Sequence, residues 1–198
     1  MNIGSYSYEE YVQLVKSFHG SLAPGLLIGG FIVDLALKRL PEGEFFDALC
    51  ETPVCLPDAV QLLTPCTIGN GWLKVLDFGR FAVTLYEKKG GQGVRVYLDM
   101  EKLKAFPEVN QWYLKLKTKK EQNFQLLIDQ IREGGHGLLS VQRIRVEPEK
   151  LQRKKLGPVG LCPACGEAYP LAHGSRCKGC QGESPYLEVL KSEAGRPS

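Results

Sequence analysis

The sequence has no apolar run long enough to cross a membrane. Its longest apolar segment, residues 22–37, is interrupted by Pro24, three glycines and Asp34, whereas a membrane-spanning helix needs about 20 predominantly apolar residues. The N-terminus also lacks a basic segment followed by an apolar one, so we expect no signal peptide. These absences predict a cytoplasmic protein without a membrane partner.

Several catalytic signatures are missing as well. The chain contains no Walker motif, no GxGxxG fingerprint, no HExxH helix and no serine-hydrolase elbow, which argues against the enzyme classes that depend on them. The cysteine count of seven is odd, and four of these cysteines have metal-ligand spacing. A reducing compartment therefore fits better than a disulfide scaffold. Whether the protein is an enzyme stays open.

The most informative feature that is present is a set of four cysteines near the C-terminus. They have the spacing C-x2-C-x11-C-x2-C and are Cys162, Cys165, Cys177 and Cys180. Each C-x2-C pair brings two thiolates to one tight turn, and two pairs complete the tetrahedral shell of one structural zinc ion. So short a segment buries little core, so metal binding would fold it. Two disulfides or a redox C-x2-C pair are the alternatives.

The net charge is small but unevenly distributed. It is +3 overall; residues 1–100 carry 8 Lys/Arg and 11 Asp/Glu, and residues 101–198 carry 17 and 11. The basic half would suit a nucleic acid or an acidic partner, although a solvated basic face is the simpler interpretation. The cysteine-rich segment itself is not strongly basic and shows no aromatic stacking platform. A nucleic-acid-binding or regulatory zinc-finger module is therefore the alternative function, and nucleic acid is not the favoured partner.

Apolar periodicity and turn signals predict an α+β protein. Helices are expected over residues 8–18, 24–40, 57–63, 100–105, 110–116 and 120–132. Strands are expected over residues 45–51, 73–77, 81–87, 94–98 and 139–146. This pattern predicts a mixed β-sheet flanked by helices in a core domain, residues 1–150, followed by a zinc-binding domain, residues 151–198.

Local signals sharpen one of these helices and the zinc domain. Gly25, Gly29 and Gly30 weaken the helix over 24–40, so close backbone packing should compensate. The polar, basic segment 147–158 is the expected joint between domains. Ser184-Pro185 predicts the start of a helix to about residue 191, which would complete a treble-clef finger. A zinc ribbon is the alternative.

Three segments carry a resemblance to a known family. They are FHGSLAPGLLIG (18–29), CLPDAVQLLTPCTIGNG (55–71) and LDFGRFAVTLY (76–86). In order and spacing they are similar to the E-subunit family of formylmethanofuran dehydrogenase, over roughly residues 8–100. Some members also carry a C-terminal zinc finger.

The resemblance implies an α+β core, often a homodimer, with a pocket where polar motif residues converge. It further implies an accessory role, with docking to a redox enzyme complex: the molybdenum or tungsten enzyme of anaerobic methanogenesis, which fixes carbon dioxide onto methanofuran. Because the family also occurs in organisms that make no methane, the resemblance does not determine a reaction.

The first motif departs from the family pattern FHGHLCPG. Ser21 stands where the family has histidine, and Ala23 stands where it has cysteine. The retained motif residues, which the resemblance places in the pocket, are His19, Cys55, Asp58, Cys66 and Thr67. A soft metal site needs enough thiolate and imidazole ligands, so a core-domain metal is doubtful. A different ion held by His19, Cys55 and Cys66 remains the alternative.

The two motif cysteines are the candidate catalytic residues. Cys55 precedes a short predicted helix, whose N-terminal partial charge would lower the thiol pKa. Cys66 lies in a loop, which favours a site over a core position. For Cys55 a small buried structural thiol is an equal alternative. Cys50 is expected in the core, and Trp112 and Tyr113 are expected as core or interface aromatics.

Overall fold

The structure is a computed structural model that describes residues 1–40, 45–147, 151 and 157–186. The chain forms two compact units, Met1–Gln152 and Arg153–Ser198. Most of the predicted joint, and the part of the predicted C-terminal helix beyond residue 186, lie outside the described residues. No helix in the described ranges is both long and apolar enough to span a bilayer.

The first unit begins with a two-stranded hairpin that leads into a capped helix. Strands β1 (Asn2–Ile3) and β2 (Tyr6–Ser7) pair antiparallel, and α1 (Tyr8–His19) follows directly. The Ser7 side chain accepts a hydrogen bond from the Glu10 N–H, and the Glu10 carboxylate accepts one from the Ser7 N–H. The capping box thus satisfies two backbone donors that a helix start leaves unpaired.

Helix α2 (Pro24–Arg39) lies at the centre of the unit and is buried over most of its length. Its three glycines allow the close approach expected from the sequence: a β-carbon on Gly29 would lie 2.8 Å from the Ala59 Cβ in α3 (Leu56–Leu63). A β-carbon on Gly30 would lie 2.4 Å from the Tyr11 ring. The packing of α1 and α3 against α2 therefore depends on the missing side chains.

Helix α2 also carries one buried carboxylate, Asp34. Its oxygens lie 2.6 Å from the Lys38 Nζ and 2.7 Å from the His136 Nε2, and they accept a 2.9 Å hydrogen bond from the Gly4 N–H. Burial would raise the Asp34 pKa, but the bonds from His136, Lys38 and Gly4 hold it below its ordinary value. Asp34 therefore ties the N-terminal hairpin and the His136 turn to α2.

The sheet has five strands in the order β4-β3-β5-β6-β7. They are β3 (Phe46–Cys50), β4 (Leu73–Val75), β5 (Ala82–Glu87), β6 (Gln92–Leu98) and β7 (Leu139–Arg145). The β3–β4 pair is parallel and the other pairs are antiparallel. The sheet is therefore mixed, and helices pack on it, which confirms the predicted α+β class.

The alternation of side chains along the strands decides which face meets the helices. Val83 and Leu85 of β5 and Val94 and Val96 of β6 are buried in the same apolar core as α2. The residues between them point to the opposite face. On that face Arg95 forms a bidentate pair with Glu51, at 2.6 and 2.8 Å.

Three short helices connect β6 to β7: α4 (Met100–Leu103), α5 (Pro107–Tyr113) and α6 (Phe124–Gly134). The last two differ from the predicted spans. Helix α5 begins at Pro107 because proline suits the first helical turn. Helix α6 begins later than predicted because the Asn123 side chain accepts a hydrogen bond from the Leu126 N–H and caps it there.

The described part of the second unit is small and contains little regular structure. Strands β8 (Val159–Leu161) and β9 (Ala168–Pro170) form an antiparallel hairpin. Short 3-10 turns follow at Leu171–His173 and Gly179–Gln181. The Tyr169 hydroxyl donates a 2.8 Å hydrogen bond to the Gly174 carbonyl and anchors the segment after the hairpin.

Candidate zinc centre and core cavity

The second unit brings its four cysteines together at one point. Cys162 and Cys165 lie in the turn between β8 and β9, and Cys177 and Cys180 lie at the turn around Gly179–Gln181. All four sulfur atoms are within 4.8 Å of one another. Among the described residues this is the one set of three or more candidate ligands gathered in this way.

The sulfur geometry fits a tetrahedral zinc shell. With Zn–S bonds of about 2.3 Å, neighbouring sulfur atoms in a regular tetrahedron lie about 3.8 Å apart. The Cys165 and Cys177 sulfur atoms are 3.8 Å apart, well beyond the roughly 2.05 Å of a disulfide. The predicted single-ion arrangement therefore suits these residues better than paired disulfides.

Backbone N–H groups point at the sulfur atoms and favour thiolates. The Cys177 N–H donates to the Cys162 Sγ, and the Cys180 N–H donates to the Cys177 Sγ, each at 3.4 Å. Hydrogen bonds from the backbone of Cys177 and Cys165 lower the pKa of Cys162 to about 6. By contrast, side-chain hydrogen bonding with Cys177 and Cys165 raises the pKa of Cys180 to about 12. A dication removes this conflict because it lets all four sulfurs be deprotonated.

In the first unit, Cys55 occupies an unusual backbone position. Its φ is 60° and its ψ is −44°, and the Leu56 N–H donates a 2.7 Å hydrogen bond to the Val54 carbonyl. These values describe the rare γ-turn with positive φ, which is strained for any residue other than glycine. Such strain persists only where the surrounding structure imposes it, and it concentrates at functional sites.

The expected lowering of the Cys55 pKa is wrong. Burial raises the pKa of this thiol, and the negative charge of Asp58 raises it further. The partial positive charge at the start of α3 does not overcome these two effects. Cys55 is therefore a protonated thiol at neutral pH, not a preformed thiolate nucleophile.

Cys55 lines a cavity of about 630 Å³ at the N-terminal end of α2. The apolar part of its lining includes Phe81, Trp112 and Tyr113; the Phe81 and Tyr113 rings meet edge to face at a centroid distance of 6.0 Å. The complete lining is Gly25, Thr52, Val54, Cys55, Gly79, Phe81, Trp112, Tyr113, Lys115, Lys117, Lys119 and Gln122. The volume falls in the range of small-molecule sites.

The other predicted pocket residues are dispersed. His19 and Asp58 do meet, with the His19 Nδ1 3.0 Å from the Asp58 Oδ2. Asp58 therefore pairs with His19 and does not cap α3, in which the structure shows no side-chain cap.

Cys66 and Thr67 lie elsewhere. Cys66 is fully buried with its Sγ 3.6 Å from the Phe46 carbonyl oxygen, and burial raises its pKa. Thr67 and Asn70 exchange hydrogen bonds within a tight turn, at 3.0 and 3.1 Å. Neither residue lines the Cys55 cavity. Cys50 is buried in the core, as expected.

The basic wall of the cavity was not predicted from the sequence. Lys115, Lys117 and Lys119 alternate in the stretch LKLKTKK, which was expected to end one helix and connect it to the next. Trp112 and Tyr113 were expected in a core or an interface. The excess of basic residues in the second half of the chain was the available signal, but only tertiary structure places this stretch beside Cys55.

Comparison with known proteins agrees with the fold and with both units. Residues 18–145 match the family described as "FmdE, Molybdenum formylmethanofuran dehydrogenase operon", and residues 153–187 match "FmdE treble clef zinc finger". The treble clef, not the ribbon, is thus the class of the finger.

Two individual relatives are informative. The crystal structure of an FmdE-like protein of the tungsten formylmethanofuran dehydrogenase from Syntrophus aciditrophicus is 56% identical, has a TM-score of 0.85, and the match covers 94% of this chain and 98% of that one. The "Probable S-adenosyl-L-methionine-binding protein" of Archaeoglobus fulgidus is 30% identical over 181 residues. That match covers 82% of this chain and 49% of the relative, so the chain spans about half of the relative's length. The chain belongs to the FmdE family, the E-subunit family of formylmethanofuran dehydrogenase, and carries that family's treble-clef zinc finger.

Proposed function

We propose that the core unit is a small-molecule-binding module whose ligand occupies the Cys55 cavity, and that the four-cysteine finger holds one structural zinc ion. The observation that carries the proposal is the coincidence of a cavity with backbone strain. Among the described residues, Cys55 and Lys115 are the two non-glycine residues with positive φ, at 60° and 55°. Both line this cavity.

Strain of this kind costs of order 1–3 kcal/mol at each residue. A fold under no functional constraint would be more stable with glycine at both positions. The thiol of Cys55 and the ammonium of Lys115 instead remain at the edge of one cavity. Ligand binding is a function for which both side chains would be kept despite this cost.

In the cell, the module would serve as an accessory protein linked to one-carbon or methanofuran chemistry, or to a molybdenum or tungsten enzyme. The family description and the Syntrophus relative support this association. A homodimer in the cytoplasm and docking to a redox enzyme complex are further parts of the proposal. The name of the Archaeoglobus relative makes S-adenosylmethionine a natural first ligand to test.

The test uses the neutral fluorophore N-phenyl-1-naphthylamine as a probe of the full-length, zinc-loaded protein. Val54 lines the cavity and is 62% exposed, so Val54→Trp would fill the cavity without disturbing the core. Val159 is similarly exposed, at 64%, but lies on β8 of the other unit. Val159→Trp is therefore the matched control.

We expect one probe to bind per chain and to slow the reaction of Cys55 with 4,4′-dithiodipyridine, with Cys55→Ser as the baseline. Val54→Trp should weaken probe binding at least about tenfold, and Val159→Trp should leave it unchanged. Absence of binding, or binding that Val54→Trp does not weaken, would refute the proposal.

A further inference from the structure

From the charges around the cavity, we infer that its ligand is a small organic anion: an aromatic or otherwise apolar body that carries a carboxylate, sulfonate or phosphate group. This inference rests on the proposed function and names its ligand class. Three lysines line the cavity, whereas its lining contains no aspartate or glutamate among the described residues. The apolar body would contact Phe81, Trp112 and Tyr113.

The three lysines are not equivalent. The Lys117 Nζ lies 2.7 Å from a carboxylate oxygen of Glu108, so most of its charge is compensated within the protein. Lys115 and Lys119 are exposed, and no side chain among the described residues pairs with either ammonium. The nearby carboxylate of Asp58 is itself paired with His19. Lys115 and Lys119 therefore supply the uncompensated positive charge.

The backbone at Lys115 supports the inference most directly. Lys115 follows the end of α5, where the Leu116 N–H donates to the Gln111 carbonyl and the Lys115 N–H donates to the Trp112 carbonyl. These two bonds define a Schellman motif, in which the residue with positive φ is usually glycine. A lysine with φ of 55° costs stability there, so its ammonium at the cavity is the feature that glycine would lose.

A net cation would be disfavoured by the same charges. S-adenosylmethionine carries a sulfonium, an ammonium and one carboxylate, so its net charge is positive. The lysines would oppose its binding, and they would favour an anion of similar size. The inference therefore separates two ligand classes that cavity size alone does not distinguish.

The experiment compares two probes that share one ring system. N-phenyl-1-naphthylamine is neutral, and 8-anilinonaphthalene-1-sulfonate adds one negative charge. The dissociation constants of both are measured by fluorescence for the full-length, zinc-loaded protein and for Lys115→Gly, Lys119→Gln and their combination. Lys120 is exposed and adjacent to Lys119 but does not line the cavity, so Lys120→Gln is the matched control.

We expect the double variant to weaken sulfonate binding about tenfold and to leave neutral-probe binding within about twofold. Raising the salt concentration should weaken only the sulfonate complex. Lys120→Gln should change neither constant more than about twofold. Lys115→Gly should also raise the melting temperature, because it removes strain; this shows that weaker binding does not come from poor folding.

The possible failures are distinguishable. If both probes bind and neither responds to the double variant, the anion inference is wrong and the proposed cavity function stands. If S-adenosylmethionine binds more tightly than the sulfonate probe, and loses affinity in the double variant, the inference is also wrong. If neither probe binds, both proposals fall together.

Discussion

Gly25 of α2 and Cys55 at the start of α3 are packed so closely that a β-carbon on Gly25 would lie 2.7 Å from the Cys55 Sγ and 3.0 Å from its Cβ. Real side chains do not approach to this distance without a shift. The contact places a thiol against the first turn of the central buried helix. It also joins two of the three motif segments that identify the family, FHGSLAPGLLIG and CLPDAVQLLTPCTIGNG.

Gly25→Ala should therefore destabilise the core unit. In an unhindered helix the change from glycine to alanine stabilises by up to about 1 kcal/mol, but overpacking against Cys55 costs about 1–3 kcal/mol. We expect the clash to prevail and the free energy of unfolding in urea to fall by about 1–2 kcal/mol. Gly137→Ala, where an added β-carbon meets nothing within 4 Å, is the control and should change stability by less than about 0.5 kcal/mol.

The strained turn at Cys55 predicts a reversed order of stability for two substitutions. Cys55→Gly and Cys55→Ala both remove the thiol, but only alanine keeps the β-carbon that is unfavourable at φ 60°. At an unstrained site glycine is the less stable of the two by about 0.4–1 kcal/mol. Here we expect Cys55→Gly to be the more stable by about 1 kcal/mol in urea unfolding. Equal or reversed stabilities would show that Cys55 carries no strain.

The zinc centre predicts the metal content of the purified protein. Elemental analysis should find about one zinc per chain, because four thiolates complete one tetrahedral shell. Cys165→Ser should lose that zinc, and Cys66→Ser, which changes a cysteine buried in the core unit, should retain it. Two metal ions per chain, with one lost in Cys66→Ser, would instead place a metal in the core unit.

The second unit should also depend on the ion for its structure. Because a segment of this size has little core, its binding free energy is folding free energy. Chelation should release protease-sensitive sites within residues 157–186, whereas residues 1–147 should remain resistant. Resistance of both units after complete zinc removal would contradict a structural role for the metal.

The ion-paired carboxylate of Glu51 predicts acid sensitivity. Burial would raise its pKa, but hydrogen bonds and charge from Arg95, with the charge of Arg80, hold the pKa below its ordinary value. A carboxylate with a lowered folded-state pKa stabilises the protein above its unfolded pKa of about 4.3, and this stabilisation is lost as pH falls through the folded value. Wild-type stability should therefore fall as pH drops below about 4.5.

Glu51→Gln removes this titration. The variant should be less stable at pH 7 by about 2–4 kcal/mol, because Arg95 loses a buried charged partner. Its stability should also depend less on pH between about 2 and 4.5 than that of the wild type. Glu133→Gln, at an exposed position in α6, is the control and should keep the wild-type pH profile. A parallel profile for Glu51→Gln would assign the acid sensitivity to other groups.

Local chemistry in the sequence was sufficient for the elements and for the zinc centre. The capping box at Ser7 and Glu10 and the proline at the start of α2 each act within one turn, so they predict helix starts without tertiary information. The zinc cysteines are equally local, because each C-x2-C pair forms its own ligand geometry. The start of α6 was misplaced because the capping role of Asn123 was not recognised.

The core site was predicted less well. Of the five motif residues assigned to one pocket, the structure pairs His19 with Asp58 and places Cys55 at a cavity, whereas Cys66 is buried near the Phe46 carbonyl. Family resemblance marks positions as important but does not say which side chains face the same space. The direction of the Cys55 pKa was also wrong, because burial depends on what packs around the thiol.

The sequence by itself determined the α+β class, the order of helices and strands, and the four-sulfur zinc centre, because these follow from periodicity, caps and ligand spacing along short stretches of chain. Only the tertiary structure decided that Lys115 and Lys119 line the same cavity as Cys55. These residues are far apart in the sequence, and nothing in either stretch specifies the other. The packing of α2 against α3 and the end of α5 bring them together, and that packing depends on contacts which local pattern does not encode.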